Sequence, residues 1–117
     1  MRPEDGDAAY LWDMYQAARE AIGFVAGADF SHFVDDAKMR RAVERDLEII
    51  GEAANQVSKA FREAHPEIAW RGIIAQRHVL AHEYGDILPE RIWRVVSLRL
   101  PELIASLEPL ISPRPAT

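Results

Sequence analysis

The feature that most constrains this chain is a run of helical spacing from Asp36 to about Ala64. Met39, Val43, Leu47, Ile50, Ala54, Val57 and Phe61 recur at three- and four-residue steps, with charged and polar residues between them. A chain with that period cannot alternate its faces as a strand must. His65-Pro66 ends the run, because a residue before proline is pushed out of the helical region. Three further segments carry the same period. Asp7 to about Ala26 has Leu11, Met14, Ala18, Ile22 and Val25 on one face, with Asp7 as a candidate N-cap and Gly27 as the stop. Ile68 to about Glu83 follows, apolar through Trp70, Ile73, Ile74, Val79 and Leu80, with Gly85 and Asp86 as its terminal turn. Pro89 to Ile111 is opened by proline, and Pro101 should kink or divide it. A short helical turn is predicted near Ser31–Val34. No alternating run and no hairpin dipeptide appears. The fold class predicted is all-α, an up-down bundle of four to five helices, with residues 1–112 as one domain and 113–117 as a flexible tail.

Composition narrows the function. The 117 residues are 49% hydrophobic, enough for a core without staples. There is no cysteine, which removes disulfides, thiol nucleophiles and Cys-based zinc sites. The acidic start, MRPEDGDAAYLW, lacks the basic and apolar regions of a signal peptide, and no apolar run is long enough for a membrane span. A cytoplasmic location with no membrane contact is expected. The net charge of −5 argues against nucleic-acid binding by the whole surface and leaves room for a local basic cleft.

One segment concentrates chemistry: Arg77 to Tyr84, RHVLAHEY. Arginine holds phosphate through a permanently charged fork, and histidine carries protons near neutral pH. Together they can cleave RNA without metal: histidine moves a proton at the ribose hydroxyl or the leaving oxygen, and arginine stabilises charge on phosphorus. Spacing complicates this. Arg77 and His82, five apart, lie roughly 140° apart around an ideal helix, whereas Arg77 and Tyr84, and His78 and His82, each share a face. The His78/His82 pair does not make a zincin site, because Val79 stands where HExxH requires Glu; neither metal nor cofactor is expected. A plainer reading gives His82 to a helix C-terminus, where a cation is favourable, and leaves Arg77 as a surface charge. On the residues alone the two readings are even. Glu52 and Asn55, one turn apart on the long helix, are candidate partners of the site or simply a solvated face. His32 and His65 are expected to be solvated in turns, and Trp12, Trp70 and Trp93 to be core.

LEIIGEAANQVS (Leu47 to Ser58), HPEIAWRGIIAQRHVLAHEYGDI (His65 to Ile87) and the following Ile92-Trp93 resemble the HepT-like proteins of the HEPN superfamily, over about Asp7 to Ile111. The hallmark of that superfamily is Arg, a polar residue, a few more residues, then His, matched by Arg77, His78 and His82. Its HepT extension, His-x-Tyr, is matched by His82 and Tyr84. The resemblance implies a metal-independent endoribonuclease toxin of a type VII-like toxin–antitoxin pair. Such toxins are homodimers with the Arg and His of both chains lining a cleft between protomers, which would relieve the spacing problem. It further implies a minimal nucleotidyltransferase antitoxin that transfers AMP from ATP onto Tyr84. Arg77 and His82 would be catalytic and His78 would contact RNA; the family more often has Asn or Asp at that position, so the division of proton transfers between His78 and His82 is open. The alternative is a non-enzymatic helical module that binds, and is modified by, the nucleotidyltransferase. The small residues from Gly51 to Ala54 suggest close helix approach, and with a shared site they suggest a two-fold dimer with the motif facing the interface.

Overall fold

The structure is a computed structural model. It describes residues 5–82 and 89–111, with only the backbone at Asp5 and at residues 78–82. Every regular element among these residues is helical: α1 (Asp5–Val25), α2 (Phe30–Asp35), α3 (Ala37–Gln56), α4 (Lys59–Ala64), α5 (Trp70–His82), α6 (Pro89–Arg94), a π-helical segment Val95–Arg99, and α7 (Leu100–Leu107). They form an all-α bundle. α3 lies between α1 and α5, and the α6–α7 arm closes over α1. One core joins the segments, with Leu11, Met14, Phe33, Val43, Val57, Ile92, Val96 and Leu107 almost wholly withdrawn from solvent. No helix among the described residues is long and apolar enough to cross a membrane.

The stops and caps follow local chemistry. Gly27 ends α1 with a φ of +80°, a conformation that side chains with a Cβ rarely adopt. Asp29 caps α2 by accepting from the His32 N–H at 2.8 Å, and Asp36 caps α3 by accepting from the Met39 N–H at 3.0 Å. That second bond holds the Asp36 carboxyl below its ordinary pKa. Trp70 is buried, and its indole N–H donates to the His65 carbonyl at 2.9 Å. Trp12 and Trp93 are half-buried against the core.

Four expectations need correction. The helix predicted from Asp36 to Ala64 is two helices, broken at Val57-Ser58. Asp7 causes the break: it does not cap α1 but sits inside it, 5% exposed, and reaches across the bundle. Its Oδ1 accepts from the Ser58 N–H at 2.8 Å and its Oδ2 from the Ser58 hydroxyl at 2.7 Å. Ser58 Oγ in turn accepts from the Phe61 N–H at 3.2 Å and starts α4. The Pro101 disturbance is displaced toward the N-terminus: the π-helical segment precedes it, with the Leu100 N–H donating to the Val95 carbonyl. Proline has no N–H for the Ser97 carbonyl and crowds it, and a wider turn absorbs both defects. Finally, His65 is not a solvated turn residue. Its ring stacks on Phe61 with centroids 4.4 Å apart, and its Nδ1 lies 3.0 Å from Glu67 Oε2.

Candidate active site

α5 carries the Arg-x4-His pattern. It is placed by its own N-terminal half, where buried Trp70 and half-buried Ile73 and Ile74 pack into the core. One turn further on, Arg77 meets α3 at Gly51. A Cβ added at Gly51 would overlap the Arg77 Cβ and lie 3.2 Å from its Cα, so only glycine admits α5 at this height. The small residues Gly51, Ala53 and Ala54 are thus buried within the chain itself. Close approach at this patch occurs as predicted, but the patch serves the α3–α5 contact and is no argument for a dimer.

Arg77 is half-buried, and its Nε is shielded from solvent with no hydrogen-bond partner among the described residues. Its side chain helps to line a cleft of about 250 Å³, together with Tyr10 and Asp13 of α1 and Glu52, Asn55 and Gln56 of α3. Glu52 and Asn55 are exposed, as a solvated helix face requires, and they also border the cleft that contains Arg77. Tyr10 and Asp13 were missed. Nothing in the local pattern of α1 marks them, since their relation to Arg77 exists only once α1 lies along α3.

The backbone of α5 continues through His78 and His82, so these two remain four residues apart on one helical face. Their side chains are outside the described residues, as is Tyr84, and Gly85 and Asp86 with it. Within the described part of the cleft the charge balance is two carboxylates, Asp13 and Glu52, to one guanidinium. A larger and mainly apolar cleft of about 360 Å³ lies elsewhere, bordered by Leu47, Ile50, Ile68, Ile73, Leu100 and Leu103. Arg77 does not border it, and its size does not make it the site of chemistry.

Comparison with known proteins supplies the deciding observation. The family model Ribonuclease HepT-like matches residues 14–110, which include α5 whole. The chain belongs to the HepT-like ribonuclease family. The protein named "Putative RNase MJ1380" of Methanocaldococcus jannaschii is 33% identical over 100 residues, covering 86% of this chain and 92% of that protein. "Putative RNase TTE0752" of Caldanaerobacter subterraneus subsp. tengcongensis is 39% identical over 94 residues, covering 80% and 84%. "Probable ribonuclease HepT" of Thermococcus cleftensis is 36% identical over 101 residues, covering 86% and 92%. No solved structure matches the chain. In this HepT-like chain the motif arginine is therefore the one motif side chain whose seat the structure describes: wedged on Gly51 and open to a polar cleft.

Proposed function

We propose that this chain is a metal-independent endoribonuclease of the HepT kind, the toxin of a toxin–antitoxin pair, working on RNA in the cytoplasm. The observation that carries the reading is Arg77, a cation of the family motif held at a glycine-made contact beside a polar cleft. Its guanidinium, at the cleft, can neutralise the negative charge that gathers on phosphorus. His82 would move the proton, and His78, one turn back on the same face, would contact the RNA. Because five residues of helix separate Arg77 from His82, a homodimer is proposed in which each chain's Arg77 works with its neighbour's His82. Tyr84, two residues beyond, would accept AMP from a minimal nucleotidyltransferase antitoxin. The added phosphate would place negative charge and bulk beside the site and silence it.

Incubation of the purified protein with RNA in EDTA tests this reading, with Arg77→Ala and His82→Ala alongside and thermal melts of all three. Cleavage by the wild type and its loss in both folded variants is the expected result. Wild-type cleavage by His82→Ala with an unchanged melt would remove that residue from catalysis. The acidic flanks of the cleft, Asp13 and Glu52, favour the second reading, a module that binds the nucleotidyltransferase without cutting RNA. No cleavage by wild type, together with AMP on Tyr84 by mass spectrometry after incubation with the partner and ATP, would decide for it.

A further inference from the structure

A cleft meant to hold only phosphate should be basic, and this one is not. Arg77 stands at it with two carboxylates, two side-chain amides and one phenol ring. None of the ion pairs among the described side chains joins Asp13 or Glu52 to Arg77, so the carboxylate oxygens are not committed to the guanidinium. Asp13 and Glu52 come from different helices, α1 and α3, and both are exposed. The opening, about 250 Å³, is below the roughly 300–1,000 Å³ of sites for drug-sized ligands and suits one flat group.

We propose that this cleft is a subsite for a single unpaired nucleobase, guanine, next to the phosphate that Arg77 holds. Its assignment to an RNA substrate rests on the ribonuclease reading. Polarity sets the orientation. A phosphate is repelled by Asp13 and Glu52 and attracted by Arg77, so the backbone lies toward α5 and the base toward α1 and α3. An ionised carboxylate only accepts hydrogen bonds. Guanine is the one RNA base with two adjacent donors on its pairing edge, N1–H and N2–H₂, and these match one carboxylate. Beside them, O6 accepts from an amide of Asn55 or Gln56. Adenine and cytosine put a ring-nitrogen acceptor next to their amine, and uracil flanks its N3–H with two carbonyls; each turns an acceptor toward the carboxylate. The half-buried ring of Tyr10 offers the base a stacking surface. The pairing edge must be free, so the substrate is single-stranded.

Equilibrium binding of GMP, AMP, CMP and UMP to the full chain measures the preference directly. GMP should bind tighter than the other three by about ten- to a hundredfold, the discrimination of one good two-point base contact. Glu52→Gln and Asp13→Asn keep shape at exposed positions and are checked by thermal melt; at least one of them should erase that preference. Mapped cleavage ends should lie beside guanine for the wild type and lose that bias in the same variant. Equal affinity for the four nucleotides, no binding, or a guanine preference that survives both substitutions overturns the proposal. Guanine-selective binding without any cleavage would leave the subsite standing and overturn the ribonuclease reading. Cleavage without base preference would do the reverse.

Discussion

α3 is buried on two sides by opposite means. Toward α5 the seam closes because a side chain is missing: Gly51 lets the Arg77 backbone come to contact. Toward α1 the seam carries polar groups that must be satisfied. At one end Asp7 is fully engaged by Ser58. At the other, Asp46 is 2% exposed, with Oδ2 buried and unpartnered, and faces the carboxyl of Glu20. Burial, then the hydrogen bond and charge of Glu20, push the Asp46 carboxyl up to about 7, while Arg45 pulls the other way. The contrast teaches where this fold is insensitive to conditions. A glycine contact has nothing to titrate, whereas the α1–α3 seam carries a carboxyl whose charge changes near neutral pH.

The largest expected effect tests what the α5 side is for. Arg77→Ala should lower RNA cleavage about a hundred- to a thousandfold, and His82→Ala about a hundred- to ten-thousandfold. The double variant should be little worse than the poorer single one, because the groups act in one step. Single-turnover rates on soluble, folded protein decide this; additive losses would break the unit.

Gly51→Ala tests the seam itself. Alanine normally gains up to about 1 kcal/mol over glycine inside a helix. Here the new Cβ must displace the α5 backbone, so a net loss of about 1–3 kcal/mol is expected, read by denaturant melts. The shifted Arg77 should also slow cleavage. A more stable and fully active Gly51→Ala would show that the two helices do not need this contact.

The α1–α3 side should respond to pH. In the unfolded chain Asp46 titrates near its ordinary value of 3.8, and in the folded chain near 7. Its raised pKa contributes stability that is complete below 3.8 and lost as pH rises through about 7. Asp46→Asn replaces the titrating carboxyl with a neutral amide facing Glu20. It should raise stability above neutral pH by about 1–3 kcal/mol and flatten the melting profile from pH 4 to 8, measured by calorimetry. An unchanged slope would mean that the pair is not what couples this seam to protons.

The smallest effect concerns the satisfied end. Ser58→Ala removes the hydroxyl that bonds Asp7 and caps α4, and should cost about 1–2 kcal/mol, read by denaturant melts. A loss under about 0.5 kcal/mol would show that the Asp7–Ser58 bond does not hold this end of the seam.

Much of this molecule was legible in its sequence. Periodicity located every long helix, Gly27 stopped α1 where expected, and the small patch at Gly51 announced close approach. The motif RHVLAHEY with its flanking HPEIAW and GEAAN pointed to the family that the comparisons then showed. These are readable because helix period, caps and motif spacing are set by residues close together in the chain. The break at Ser58, the meeting of buried Asp46 with Glu20 and the neighbours of Arg77 were not readable. Ser58 lies inside a perfect helical pattern and is parted from it by Asp7, fifty-one positions away. Asp13 and Tyr10 look like any solvated turn of α1 until α1 lies against α3. Local sequence decided which segments are helical and where the family motif falls on α5. The tertiary structure alone decided which distant carboxylates meet, because hydrogen bonding, burial and charge act through space between groups whose separation along the chain carries no signal.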